Sequence, residues 1–170
     1  MRISTPRLEI VPFAMEMASR VHQLSLDADT RAFVPDEVFE TVEAAEAAIG
    51  YLMACYKAQD GPLAYPVLLE GEYIGYVQLV PLDGGVWELG YHIGKPYTGC
   101  GYATEAVKAF LPVIMKRMAL KQVRGVCLAE NAASIRVLEK CGFRLIGCGM
   151  GAYQGEQREI CTYEYSLEDE

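Results

Sequence analysis

The stretch Thr98-Gly99-Cys100-Gly101-Tyr102-Ala103-Thr104-Glu105 decides the fold, because it leaves a strand pattern at 86–93 and opens a helical pattern. The helical pattern runs from Thr104 to Met118, and a strand pattern at 122–128 completes a β-α-β unit. The two glycines let the backbone approach a phosphate closely, and a helix N-terminus adds free N–H groups and the positive end of its dipole. The stretch therefore predicts a turn that can hold a phosphate or pyrophosphate.

Two common phosphate-binding motifs do not fit this stretch. Thr104 stands where a dinucleotide-binding GxGxxG motif needs its third glycine, and no carboxylate lies about 20 residues further on to hold a ribose. The chain also lacks a GxxxxGK[ST] motif. A Rossmann site is disfavoured, and a nucleotide-binding module that uses the same loop stays open as an alternative.

The predicted elements continue in both directions from this unit, with short turns between them. Before it, the periodicity predicts one strand, two helices and a three-stranded meander at 2–12, 14–25, 41–57, 64–69, 73–82 and 86–93. After it come a helix from Asn131 to Gly142 and strands at about 143–150 and 158–167. The loop around Pro35 is irregular, and Pro112 predicts a kink or an early helix end.

This order predicts a mixed α/β fold in one domain, residues 1–170. The sheet is mostly antiparallel with one parallel crossover around 86–128, and about four helices flank it. With 52% hydrophobic residues, a chain of this length can bury a core without disulfides or a metal.

Composition excludes several classes of protein. The longest uncharged run, 145–155, is too short to cross a bilayer, and the N-terminus lacks the apolar segment of a signal peptide. We therefore expect a cytoplasmic protein that does not bind membranes. A net charge of −8 argues against nucleic acid as a partner, although the segment between Glu105 and Glu130 carries +5 and no acid.

The cysteines and histidines do not form a metal-binding pattern. None of the six cysteines has CxxC spacing, and His22 and His92 lie far apart in the sequence. We expect no metal. Because the chain is not short and shows no export signal, we also expect the cysteines to be thiols.

Three segments together resemble the GNAT acetyltransferases: the loop 98–105, the segment Asn131-Ala132-Ala133-Ser134-Ile135-Arg136-Val137-Leu138-Glu139-Lys140-Cys141-Gly142-Phe143, and the opening Ser4-Thr5-Pro6-Arg7-Leu8. They are most similar to the branch of ribosomal-protein N-terminal acetyltransferases. The resemblance implies the GNAT fold, acetyl-CoA as co-substrate, and transfer of its acetyl group to a primary amine by a monomer or homodimer. The amine belongs to a protein N-terminus or a small molecule.

The resemblance also implies where acetyl-CoA binds. Backbone N–H groups of the loop hold the pyrophosphate, the strand ending at Tyr91-His92-Ile93 pairs with the pantetheine arm, and Asn131 contacts its other side. Thr98 stands where the family has Gln or Arg, which predicts weaker affinity. The full set of expected cofactor-binding residues is Tyr91, Ile93, Thr98, Gly99, Cys100, Gly101, Tyr102, Ala103, Thr104, Asn131 and Ser134.

Acetyl transfer needs a base for the amine, a donor to the oxyanion and a proton for the thiolate. Strand alternation puts Glu88 and His92 on one face, so either could be the base, and Glu88 is favoured. The family often has a tyrosine acid where this chain has Leu138, and Ser134 is the candidate to take that role. The oxyanion donor is expected to be a backbone N–H near Tyr91 or Ile93.

The first half of the chain is expected to build the acceptor side. Four residues are candidates to line an apolar pocket there: Phe33, Pro35, Phe39 and Tyr56. The acidic charge balance favours a cationic acceptor. The departures at Thr98 and Leu138 keep one alternative open, a non-catalytic acyl-CoA-binding sensor of the same fold.

Overall fold

A computed structural model describes residues 1–167 and contains one eight-stranded sheet in the order β1-β2-β3-β4-β5-β6-β8-β7. The strands are β1 (Ile3–Ser4), β2 (Leu8–Ile10), β3 (Leu63–Leu69), β4 (Glu72–Pro81), β5 (Trp87–Ile93), β6 (Gln122–Leu128), β7 (Arg144–Tyr153) and β8 (Glu156–Ser166). Among these strands β5 and β6 are the one parallel pair. The predicted mixed α/β sheet with a single crossover is confirmed.

Five α-helices accompany the sheet within residues 1–167. They are α1 (Ala18–Ser25), α2 (Ala28–Phe33), α3 (Val42–Ala58), α4 (Tyr102–Met118) and α5 (Ala132–Lys140). The helix α2 lies where only an irregular loop was expected. The Asp27 side chain accepts a hydrogen bond from the Thr30 N–H at 2.9 Å and so caps this helix, which is too short to show a period in the sequence.

Helix α4 continues through Pro112 to Met118, so the early end that proline predicts is wrong. Phe110, Leu111 and Ile114 are fully buried on either side of the proline. Their packing against the sheet outweighs the one backbone hydrogen bond that proline removes.

The helices cover both faces of the sheet. Helices α4 and α5 pack on one face, in a core centred on Phe110, Ile114 and Leu138. Helices α1 and α3 pack on the other face, around Val21 and Ile49. No helix in the described part of the chain is long and apolar enough to span a membrane.

The expectation of six thiols is wrong for one pair. Cys148 on β7 and Cys161 on β8 are directly opposite each other, with their Cα atoms 4.1 Å apart, and form a disulfide. The hairpin register brings them together, which their spacing in the sequence does not reveal. Cys55, Cys100, Cys127 and Cys141 are free.

Candidate active site

A gap between β5 and β6 is the centre of the site. The two strands pair only at Glu88↔Arg124 and Leu89↔Gly125. Strand β5 nevertheless stays paired with β4 as far as Ile93, and β6 stays paired with β8 along its whole length. The two halves of the sheet therefore separate beyond Leu89.

The backbone of β5 presents unpaired groups to this gap. Hydrogen bonds alternate sides along a strand, and the Gly94 N–H donates to the Ile74 carbonyl on β4. By this alternation the N–H and C=O groups of Tyr91 and Ile93 point away from β4, toward the gap. They can pair there with an extended polar chain.

The loop before α4 lies at the same end of the gap. Gly99 and Gly101 have φ of 77° and 82°, a left-handed conformation that favours glycine. Within residues 1–167 the amides of 99–104 make no intramolecular hydrogen bond, and the first to bond back is Glu105, to the Gly101 carbonyl at 3.0 Å. Free amides at a helix N-terminus form a cradle for an anion.

An N-terminal clamp holds this loop, and it was missed by the sequence analysis. Arg7 Nε and Nη2 each lie 2.6 Å from Glu105 Oε2, and the Thr5 hydroxyl donates to Glu105 Oε1 at 2.6 Å. Arg7 Nη1 also donates to the Cys100 carbonyl at 3.0 Å, and the guanidinium lies 4.5 Å from the Tyr102 ring centroid. An ion pair between such distant residues leaves no local signal in the sequence.

Thr98 does not belong to the set of free donors. Its N–H and its hydroxyl both donate to the Lys95 carbonyl, at 3.3 and 2.8 Å. Cys100 is exposed, and its carbonyl is held by Arg7.

Tyr91 and Ser134 meet on the α5 side of the gap. Tyr91 Oη lies 2.6 Å from Ser134 Oγ and 3.1 Å from the Ser134 carbonyl oxygen. Asn131 Oδ1 accepts the Ser134 N–H at 3.2 Å, so Asn131 caps α5 as predicted. Burial raises the pKa of Tyr91, which therefore keeps its proton at neutral pH.

Leu138, at the position where the family often has tyrosine, is only 2% exposed and packs over Gly125. A tyrosine hydroxyl nevertheless reaches the start of α5, because Tyr91 supplies it from β5. From the sequence, Tyr91 was expected in the site for its backbone alone.

Glu88 and His92 lie on the other face of β5. Burial raises the pKa of Glu88, and the charge of Arg124 acts in the opposite direction. Between the two residues, Gly90 leaves room for the Gln78 side chain, because a Cβ on Gly90 would lie 2.8 Å from Gln78 Nε2. Glu88 has no hydrogen bond to His92, whose Nε2 lies 2.8 Å from Thr30 Oγ1 on α2.

Glu37 joins this face from the loop between α2 and α3. Burial raises its pKa, hydrogen bonds from Tyr76 and Gln78 act to lower it, and the neighbouring Asp36 charge raises it. Glu37 and Gln78 border a cavity of about 30 Å³. A larger cavity of about 260 Å³ lies at the other end of β6, where β5 and β6 are still paired.

The aromatic candidates for the acceptor side have different environments. Phe39 lines the small cavity, and Pro35 begins the turn that carries Glu37. The Phe33 carbonyl accepts a hydrogen bond from Tyr153 at 2.8 Å, which closes the β7–β8 hairpin over this side. Tyr56 belongs to the core, because its hydroxyl accepts the Phe13 N–H at 2.9 Å and its ring stacks on Tyr65.

Comparison with known proteins gives consistent results. The family model described as an acetyltransferase (GNAT) domain matches residues 7–144. The uncharacterized N-acetyltransferase YnaD of Bacillus subtilis (strain 168) is 31% identical over 150 residues, which cover 86% of this chain and 85% of YnaD.

Solved structures share the fold. A GNAT-family acetyltransferase from Bacillus anthracis is 28% identical, with a TM-score of 0.84 over 98% of both chains. RimL, a ribosomal L7/L12 alpha-N-protein acetyltransferase solved in complex with coenzyme A, superposes with a TM-score of 0.86 over 98% of both chains. At 18% identity the likeness to RimL is one of fold.

Proposed function

This chain belongs to the GNAT acetyltransferase family, and we propose that it moves the acetyl group of acetyl-CoA directly to a primary amine that arrives as a cation. Family membership makes it an acetyl-CoA-dependent acetyltransferase. The choice of acceptor, a protein N-terminus or a small-molecule amine, is the proposal. Transfer from acetyl-CoA is supported by the row of free amides at 99–104 beside the gap between β5 and β6. The choice of a cationic acceptor is supported by the acidic residues Asp36, Glu37 and Glu88.

The free amides fit a pyrophosphate. They follow one another at the N-terminus of α4, and the left-handed glycines let the ligand come close. The unpaired backbone groups of Tyr91 and Ile93 fit the amide-bearing arm of the coenzyme. Asn131 caps α5 through Oδ1, which leaves its amide nitrogen to contact the arm from the other side.

The thioester supplies an activated acetyl group when acetyl-CoA is bound. Glu88 is the base that takes a proton from the amine, because its burial makes it a stronger base than an exposed carboxylate. The amine then attacks the carbonyl carbon. A backbone N–H of Tyr91 or Ile93 donates to the carbonyl oxygen as that oxygen becomes negative.

Tyr91 and Ser134 act where the sulfur leaves. Their hydroxyls share a hydrogen bond at 2.6 Å, and burial keeps Tyr91 protonated. Ser134 donates to the departing sulfur, and Tyr91 supplies the proton through Ser134. The second proton that the nitrogen loses as the amide forms passes to solvent, and Tyr91 regains a proton from solvent. This pair takes the role of the tyrosine that is absent at Leu138, so the non-catalytic alternative is not favoured.

The acceptor face is the face of β5 that carries Glu88 and His92, together with the loop over it. The acceptor is a cation because this face is acidic. Glu37 and Asp36 lie on the loop over this face, and Glu88 lies on the strand below. The small cavity beside Glu37 has about the volume of one water molecule. Recognition therefore rests on charge at the surface of the site rather than on a deep pocket.

The direct test is turnover with matched amines. The protein is incubated with acetyl-CoA and a polyamine, an aminoglycoside, a peptide with a basic N-terminal segment or its acidic counterpart, while thiol release and the acetylated product are measured. We expect faster transfer to the cationic amines and a several-fold higher KM for them in Glu37→Gln. Absence of thiol release with every amine, or a preference for the acidic peptide, would contradict the proposal.

A further inference from the structure

Three side chains from two elements form a continuous hydrogen-bonded chain behind the acceptor face. Thr30 Oγ1 donates to Asp27 Oδ2 at 2.6 Å and lies 2.8 Å from His92 Nε2. Thr30 is 2% exposed. The chain ends on His92, which shares a strand face with Glu88.

The order of donors along this chain determines where the imidazole proton lies. Burial acts to raise the pKa of Asp27, but hydrogen bonds from the Thr30 hydroxyl and N–H lower it, so Asp27 is a carboxylate at neutral pH and can only accept. The Thr30 hydroxyl proton therefore goes to Asp27. The Thr30 oxygen is left to accept a proton from His92 Nε2–H.

The other ring nitrogen is then a free acceptor. Burial lowers the pKa of His92, although Asp27 acts in the opposite direction, so the ring is neutral with one N–H. Within residues 1–167, His92 Nδ1 has no hydrogen bond, yet no buried side-chain nitrogen or oxygen lacks a partner. It follows that Nδ1 is accessible to solvent.

We propose that Asp27 and Thr30 are positioning residues that hold His92 as the Nε2–H tautomer, so that its Nδ1 lone pair accepts a hydrogen bond from the acceptor amine. This inference rests on the proposed function. Glu88 and His92 are four residues apart on β5, so one nitrogen does not contact both side chains directly. The arriving ammonium has three N–H groups: one proton passes to Glu88 through water, and a second N–H is held by Nδ1. The nitrogen lone pair is thereby directed at the thioester.

A purely structural role would be to fasten α2 to β5. Both roles predict that loss of the hydrogen bonds lowers stability. Only positioning predicts a defined His92 tautomer. It also predicts that loss of the hydrogen bonds lowers kcat/KM for the amine and leaves the affinity for acetyl-CoA unchanged.

The first measurement is the ring ¹⁵N spectrum of the full-length protein at neutral pH, which contains only two histidines. His22 is an internal reference, because its Nδ1 lies 2.6 Å from the Phe39 carbonyl oxygen and must carry the proton when the ring is neutral. We expect opposite tautomers, with Nε2–H in His92. An Nδ1–H tautomer in His92 would overturn the proposal.

The second measurement compares Thr30→Val, which removes the hydroxyl at equal size, with Thr30→Ser, which keeps it. We expect Thr30→Val to mix the His92 tautomers and to lower kcat/KM for the amine roughly fivefold to tenfold, the effect of one hydrogen bond. Thr30→Ser should restore both, with the same acetyl-CoA affinity in all three proteins. Equal kcat/KM in the two variants would overturn the proposal.

Asp27→Asn serves if Thr30→Val does not fold, since it removes the charge and can keep the helix cap. It should shift the tautomer balance and lower kcat/KM for the amine, and no change in either would count against positioning. If the wild-type protein acetylates no amine, the proposed function fails, whereas the tautomer measurement still tests the hydrogen-bonded chain.

Discussion

In the proposed mechanism, single residues divide the chemistry between the two faces of β5. Glu88 and His92 face the acceptor side, while Tyr91 faces Ser134 on the side of α5. Because side chains alternate along a strand, one strand can carry the base and the thiolate partner on opposite sides of the reacting atoms.

Glu88→Gln is expected to lower kcat by roughly 10²-fold or more, the usual contribution of a general base. The acetyl-CoA dissociation constant should stay unchanged. Because the base acts when deprotonated, wild-type kcat/KM should fall as pH drops through a Glu88 pKa above the ordinary glutamate value, and this limb should vanish in the variant. Glu9→Gln, at the exposed position of β2, is the control. Equal pH profiles in wild type and Glu88→Gln would remove Glu88 from the mechanism.

Tyr91→Phe and Ser134→Ala should each lower kcat, because each breaks the same 2.6 Å hydrogen bond. The double variant should be little worse than the poorer single variant, since the two hydroxyls act as one unit. Steady-state kinetics on the three proteins gives the coupling. Independent, additive losses would show that the hydroxyls have separate roles.

The sequence supplied candidate residues for the site but not their contacts. Alternation and family resemblance pointed to Glu88, His92 and Ser134 as candidates, whereas neither could place the Tyr91 hydroxyl beside Ser134. Its position depends on where α5 begins relative to β5, which is a matter of packing between elements distant in the chain.

Among the elements, the loop 98–101 with the first turn of α4 is the proposed binding site for the coenzyme pyrophosphate. Gly101→Val should lower acetyl-CoA affinity roughly 10- to 100-fold, because a side chain there blocks approach to several charge-assisted hydrogen bonds. The nearest protein atom to an added Cβ is Arg7 Nη2 at 3.5 Å, so the fold can accept the change.

Gly71→Val is a matched control for this substitution. Gly71 has the same φ of 82° and open space around an added Cβ, but it lies in the β3–β4 turn. Both variants carry similar backbone strain, so both should lose similar stability. Titration calorimetry should show lost affinity in Gly101→Val alone, and equal affinities would mean that the cradle is misplaced.

Arg7→Ala should lower acetyl-CoA affinity roughly threefold to tenfold, because it releases the Cys100 carbonyl and Glu105 together. Burial acts to raise the pKa of Glu105, but the hydrogen bonds from Thr5 and Arg7 bring it below its usual value. The clamp should therefore persist as the pH falls, until the pH reaches this lowered pKa. Arg2→Ala removes an exposed pair with Glu9 and is the control. Unchanged acetyl-CoA affinity in Arg7→Ala would show that the clamp is a surface contact without a role in binding.

Helices were predicted correctly from the sequence where the hydrophobic repeat extended over several turns. Helix α3 has seventeen residues and a Thr41 cap, and it matches the expected helix closely. Helix α2 has six residues, and its cap became visible only in the structure. The early helix end expected at Pro112 was wrong, because packing of buried neighbours can maintain a helix across one lost hydrogen bond.

At the scale of the whole molecule, the proposed mechanism places the two substrates on opposite faces of the sheet. The amide cradle precedes α4, on one face, and the acidic residues Glu37 and Glu88 lie on the other. The gap between β5 and β6 joins the two faces. The order of elements predicted the parallel crossover from β5 to β6, and the family resemblance implied the gap between them. The charge of the acceptor face depends on how the α2–α3 loop folds over the sheet.

The most direct test is thermal unfolding of the wild-type protein with saturating acetyl-CoA, CoA, ATP or NAD. A ligand at about 100 times its Kd stabilises the folded state by about 2.7 kcal/mol, which for this size is a Tm rise of roughly 5–10 °C. We predict that rise with acetyl-CoA and CoA, and a much smaller one with ATP or NAD. No rise with either CoA form, or a larger one with ATP or NAD, would contradict the account.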